Sequence, residues 1–267
     1  MKKHLFSMVT GIFMCAVSLS LIQQTARADI NINGDNFNPL SWNVDRYAPA
    51  SFGVVNFGGN NVIGLTVDDS TAAPNRLGGY SSSFYNTQGK STATATASGS
   101  WSFSASLYVS SAMANGTAGP VRPDLWGSSG GGSDYFIIGL LSGTSDPYSV
   151  VPFAGASWET WNDVSGTWTA SASTVNTGWN TLSVVYDGLT GLDYQVNGAT
   201  IASLTVDPLV ASALDSVYLQ DRNYGVGDGN TVYWNNISAV APVPEPSTLA
   251  LACLGGFATL VGFRRKR

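Results

Sequence analysis

The chain has 267 residues, 44% of them hydrophobic and only 11% charged, with a net charge of −5. That value hides a division: from Asp29 to Val243 five basic side chains face sixteen carboxylates, a balance of −11, while the remaining basic residues sit near the two ends. So acidic a middle repels phosphates, which excludes nucleic acid; with the single His4 and both cysteines, Cys15 and Cys253, in the ends, it also excludes histidine- or cysteine-dependent chemistry there.

Lys2, Lys3 and His4 form a basic start, Leu5 to Ile22 is mostly apolar, and Ala26-Arg27-Ala28 has the small-x-small pattern of a secretory cleavage site. Residues 1–28 therefore read as a signal peptide, taken by the Sec export machinery and cut by signal peptidase so that the mature protein begins at Asp29. Residues 29–241 are one domain's worth of chain, long enough for a sizeable core.

That segment reads as strands and turns. Candidate strands run over Phe52–Phe57, Val62–Val67, Trp101–Val109, Tyr135–Leu141, Tyr148–Phe153, Thr167–Ser173, Thr181–Tyr186, Leu192–Val196, Ile201–Val206, Ser216–Leu219 and Thr231–Val240. Trp101–Val109 is the clearest, alternating Trp101, Phe103, Ala105, Leu107 and Val109 with mainly serine. Helical periodicity is confined to Pro208–Leu214, and the Gly-, Ser- and Pro-rich stretch Ala112–Ser133 predicts a long loop. Strands at this spacing argue for an antiparallel sandwich or barrel. The run Gly178–Gly188, then Leu192–Gly198 with its Asn197-Gly198 hairpin turn, then Ile201-Ala-Ser203 resembles concanavalin A-like and laminin-G-like jelly rolls. That resemblance implies an all-β, antiparallel jelly-roll β-sandwich with one concave face.

The chemistry on offer is narrow. Glu159 is the only glutamate before the tail. Placed with Asp163 on one face of a strand, it would lie about 13 Å away, too far for a retaining glycosidase pair. Asp221, Asn223, Asp228 and Asn230 offer oxygen ligands of the kind calcium prefers, in a glycine-permissive loop; the same residue types also populate ordinary turns. Of eight tryptophans, Trp101 and Trp179 are expected in packing, whereas Trp126, in the expected loop, and the Trp158 and Trp161 pair are candidates to stack on sugar rings.

The chain closes with Val243-Pro-Glu-Pro-Ser247, an uncharged run from Thr248 to Phe263, and Arg264-Arg-Lys-Arg267. The apolar run would rise about 24 Å as a helix, just short of a hydrocarbon core of about 30 Å. Arg264, Arg265, Lys266 and Arg267 would hold its end in the cytoplasm. Residues 242–267, with Pro244, Glu245 and Pro246 as the signature, closely resemble the PEP-CTERM tail of Gram-negative bacterial surface proteins. The resemblance implies a transmembrane sorting helix in the inner membrane that an exosortase recognises and removes. The sequence thus predicts an exported, non-catalytic surface or extracellular-matrix protein that binds exopolysaccharide or another glycan. A purely structural matrix component is the alternative, and a polysaccharide hydrolase using Glu159 a third.

Overall fold

Period-two alternation folds the middle of the chain into two antiparallel sheets facing one another, in a computed structural model that describes residues 30–68, 86–94, 99–143, 155–163, 165–211, 213–224 and 229–240. The first sheet comprises β1 (Ile30–Ile32), β3 (Ser51–Phe57), β4 (Asn60–Thr66), β6 (Trp101–Val109), β11 (Gly178–Tyr186), β12 (Gly191–Val196), β13 (Ala199–Thr205) and β15 (Thr231–Val240). The second comprises β2 (Asn43–Val44), β5 (Thr87–Ala93), β7 (Pro123–Ser129), β8 (Asp134–Gly143), β9 (Gly155–Asn162), β10 (Thr167–Ala170) and β14 (Ser216–Arg222). Strand order is β13-β12-β11-β6-β15-β4-β3 in the first sheet, with β1 beside β15, and β10-β9-β8-β7-β14-β5-β2 in the second. All these strands belong to one compact unit, Ala28–Ala241.

The core lies between the sheets. The inward residues of β6 meet Leu182, Val184 and Tyr186 of β11, and from the second sheet Leu125, Phe136, Ile138, Leu140, Trp158, Val217 and Leu219. Trp101 joins the layers: its ring lies 5.2 Å from that of Phe136, and its Nε1 donates to the Ala211 carbonyl at 2.9 Å. Each such side chain, fully buried, contributes about 1.5–3 kcal/mol. The expected Asn197-Gly198 turn joins β12 to β13 with both residues at positive φ, 52° and 79°, which is why Asn and Gly stand there.

Expectation and structure part most clearly at Ala112–Ser133. Instead of one loop, this stretch holds the end of a short helix, Ser111–Ala114, and β7. Ser110 Oγ caps the helix by accepting from the Met113 N–H at 3.1 Å. Strand β7 is interior to its sheet, bonded to β8 on one side and β14 on the other, and every residue of it is buried. Small residues are required there, because a Cβ on Gly127 would lie 2.3 Å from the Phe103 ring; close sheet approach overrides the loop tendency of Gly and Ser.

Strands β1 and β2 were likewise not anticipated, nor was the greater part of β5; β9 covers most of the stretch expected to carry Glu159 and Asp163 on one strand face, and the strand expected at Tyr148–Phe153 lies outside the described residues. Pro208–Leu214, expected to be helical, makes one turn in which the Asp207 carbonyl accepts from Val210 and Ala211. Burial of Leu214 and the bond from Trp101 to Ala211 then carry the chain into the core rather than on into a helix. Among the described residues no helix is long and apolar enough to cross a membrane. The expected signal peptide, with Ala26 and Ala28, and the expected tail, with Pro244, Glu245, Pro246, Arg264, Arg265, Lys266 and Arg267, lie outside the described residues.

Candidate functional site

Alternation along β7 and β14 sends Leu125, Val217 and Leu219 to the core and the residues between them to the opposite face of the second sheet. Register then aligns that face into rows running across the strands. One row is Ser91, Tyr218, Trp126, Ile137, Trp161 and Trp168. The next is Gly89, Gln220, Asp124, Gly139, Glu159 and Ala170. Beyond it come Thr87 and Arg222, with the Arg222 N–H bonded to the Arg122 carbonyl at 3.1 Å. The aromatic row forms an apolar cluster separate from the core, with Tyr135 and Trp161 packed on Trp126, Ile137, Trp168 and Tyr218.

Above these rows lies a cavity of about 190 Å³ lined by Arg46, Thr87, Arg122, Trp126, Tyr135, Ile137, Trp161, Asp163, Trp168 and Arg222. Two of its arginines are clamped between an indole and a carboxylate. Arg46 Cζ stands 4.4 Å from the Trp126 ring centroid, while Arg46 Nη1 reaches Asp45 Oδ2 at 3.1 Å and donates to Thr87 Oγ1 at 3.0 Å. Arg122 Cζ stands 4.3 Å from the Trp168 ring, with its Nε 3.1 Å from Asp124 Oδ2. Cation–π contacts of this kind are worth about 0.5–2 kcal/mol, and the opposed carboxylate fixes where each guanidinium edge points. Gly139 makes room for the arrangement: a Cβ there would lie 2.0 Å from Asp124 Oδ1.

Burial governs the acids around the cavity. It raises the Asp45 carboxyl above its usual range, against the lowering effects of Arg46 and of the Gln220 Nε2 donor at 2.9 Å. Asp163 is raised too, chiefly by burial and further by neighbouring Asp134, against the Trp161 Nε1 donor at 2.9 Å. Glu159 is wholly buried between Gly139 and Ala170 and does not line the cavity.

The residues expected to bind glycan separate. Trp126 and Trp161 reach the same cavity, Trp126 from an interior strand and not from a loop. Trp158 points the other way, 0% exposed in the core with its Nε1 donating to the Thr174 carbonyl at 3.3 Å. Positions three apart on a strand face opposite sides, so Trp158 and Trp161 of β9 cannot share a surface; Trp168 stands opposite Trp161 instead. Trp179, expected in packing, is 43% exposed on the outer face of the first sheet beside Tyr108, because Asn180, Leu182 and Val184 take the inward positions.

The residues expected to hold calcium are spread over strand and loop. Asp221 is a buried residue of β14, Asn223 Nδ2 donates to the Asp68 carbonyl at 2.7 Å, Asp228 lies outside the described residues, and Asn230 accepts at its backbone from Val67 at 3.0 Å. Among the described residues no group of three or more His, Cys, Asp or Glu side chains could hold a metal ion.

Sequence reasoning missed Arg46, Arg122, Arg222, Tyr135 and Trp168. The signal was present in Arg122-x-Asp124-x-Trp126 and Tyr218-x-Gln220-x-Arg222, polar and aromatic residues at period two opposite an apolar face.

Residues 242–267 match the PEP-CTERM protein-sorting motif. The chain carries a PEP-CTERM sorting tail. Such a motif implies export, processing by an exosortase and membrane-anchored transit to the cell surface. No curated protein sequence matches this chain. Among solved structures it is similar to a sialidase (TM-score 0.51, 10% identity), covering 82% of this chain but only 19% of the sialidase's. It is also similar to the T. cruzi calreticulin globular domain (TM-score 0.50, 9% identity, 85% of this chain and 92% of that one). A third similar structure is a glycoside hydrolase family 16 endo-glucanase from Bacteroides ovatus (TM-score 0.48, 10% identity, 78% and 99%). At such identities the likeness is one of fold, the two-sheet β-sandwich.

Proposed function

We propose that this exported, PEP-CTERM-sorted chain is a non-catalytic surface or matrix protein of a Gram-negative bacterium, and that it binds exopolysaccharide through the cavity on the outer face of the second sheet. The sandwich is read as a concanavalin A-like jelly roll, with that face as its concave one. The observation that carries the reading is the row of Trp126, Trp161 and Trp168 beneath two clamped arginines. Apolar rings together with held guanidinium donors match a sugar, which offers CH groups for apolar contact and hydroxyls for hydrogen bonds. At about 190 Å³ the cavity is smaller than the roughly 300–1,000 Å³ of sites that engulf a drug-sized ligand, which suits one sugar unit of a chain that continues outside.

The non-catalytic reading is supported by the placement of Glu159, buried away from the cavity wall. The test is a glycan array probed with the full-length chain in detergent, beside its Trp126→Ala and Trp161→Ala variants. Saturable binding lost by both variants is expected. Binding that neither variant weakens would move the site elsewhere, and release of new reducing ends that Glu159→Gln abolishes would make the protein a hydrolase.

A further inference from the structure

The charge of the cavity wall points to a class of saccharide, an inference that rests on reading the cavity as a glycan site. The segment from Asp29 to Val243 carries −11, yet of the four basic side chains among its described residues, Arg46, Lys90, Arg122 and Arg222, three line this one cavity. None of the three is more than 6% exposed. A buried guanidinium is costly unless negative charge lies close to it. Asp45 lies against Arg46 and Asp124 against Arg122, and neither of these carboxylates nor Glu159 lines the cavity; the lining itself holds the three guanidiniums and one carboxylate, Asp163.

Two further observations give the wall direction. Contact with the Trp126 and Trp168 rings on one side and with Asp45 and Asp124 on the other holds Arg46 and Arg122 in place, and the backbone bond between Arg222 and Arg122 sets those two side chains next to each other on one face. Trp126 lines the same cavity, and its buried indole Nε1, in a residue 3% exposed, has no acceptor among the described residues. A donor-rich pocket between rings, in a domain otherwise repellent to anions, selects a ligand unit that is both a sugar ring and an acid.

We propose that the cavity takes a carboxylate-bearing sugar, a uronic acid unit of an acidic polysaccharide, with the carboxylate held by Arg122 and Arg222 and the ring against the tryptophans. Guanidinium pairs carboxylate in a planar, two-point geometry that hydroxyls do not reproduce, so discrimination between an acidic sugar and its neutral counterpart is the property to measure.

The experiment is calorimetric titration of the full-length chain in detergent with tetragalacturonate and tetramannuronate, each beside its carboxyl-reduced, neutral form. The expected result is that at least one acidic tetramer binds about tenfold or more tighter than its reduced form, and that this margin shrinks as salt is raised. Arg222→Gln, checked for folding by circular dichroism, should remove most of the margin while leaving residual binding of the neutral form. Equal affinity for acidic and reduced forms would overturn the acidic assignment and leave the glycan reading intact. A reduced form that binds while both acids fail would overturn it in the same way. Binding of none of the four, together with an array on which no glycan binds, would overturn both readings.

Discussion

Gly139→Ala adds one methyl group to the outer face of β8, between Asp124 on β7 and Glu159 on β9. The new Cβ would lie 2.0 Å from Asp124 Oδ1 and 2.8 Å from the Pro123 carbonyl oxygen, where ordinary contact begins at 3.4 Å. The carboxylate must therefore retreat by about 1.4 Å, and because a backbone oxygen is also too close, turning the Asp124 side chain is not enough. Overpacking of this kind costs about 1–3 kcal/mol. Pushing the carboxylate away from Arg122 Nε, now at 3.1 Å, adds a share of the roughly 3–5 kcal/mol that breaking a buried pair costs. We expect a loss of about 3 kcal/mol in all, or a melting temperature lower by about 6–12 °C for a chain of this size. Thermal circular dichroism of the full-length chain in detergent measures it, with Gly53→Ala on β3 as control. A Cβ at Gly53 meets nothing within 4 Å, so its effect should stay within about 0.5 kcal/mol. Equal melting temperatures for the two variants would refute the argument that Gly139 is there to admit the Asp124 carboxylate.

Trp158→Ala empties a fully buried site in the core and should cost about 3–5 kcal/mol while leaving glycan affinity unchanged below its melting point. Trp161→Ala should do the reverse, lowering affinity about tenfold with a melting shift of a few degrees; paired melting and array measurements distinguish the two. Asp163 supplies a pH test. Its folded-state carboxyl is raised above the usual 3.8, so the folded chain holds that proton more firmly than the unfolded one. The group's contribution to stability is then greatest below 3.8 and falls as pH rises from there through the raised value. Asp163→Asn removes this slope and should therefore raise the melting temperature more at pH 7 than at pH 3; an equal shift at both would contradict the burial argument.

How much could be read beforehand follows from the range of the forces involved. Alternation in Trp101–Val109 and the Asn197-Gly198 turn are local, and the structure has both where the sequence puts them. The sorting tail is also local: a short motif, an apolar run and a basic cluster in fixed order, which the match over residues 242–267 identifies without any fold. Strand β7 was hidden because Gly and Ser are loop residues by propensity, and only the approach of the Phe103 ring from the other sheet makes smallness a requirement. Trp158 was misplaced by ignoring parity that the sequence did contain, once β9 is granted to be a strand.

The cavity belongs wholly to tertiary structure. Arg46, Arg122 and Arg222 are scattered over 177 positions of sequence, and no local pattern relates them. They meet because β7 and β14 pair at the centre of one sheet and β5 brings in Thr87 beside Arg222, while the segment after β2 carries Arg46 over Trp126. Sequence alone determined that the chain is exported with an acidic, histidine-free middle built from strands. Long-range strand pairing alone decided which aromatic side chains face outward together and which positive charges stand over them, since register is set by contacts between segments that no stretch of sequence contains.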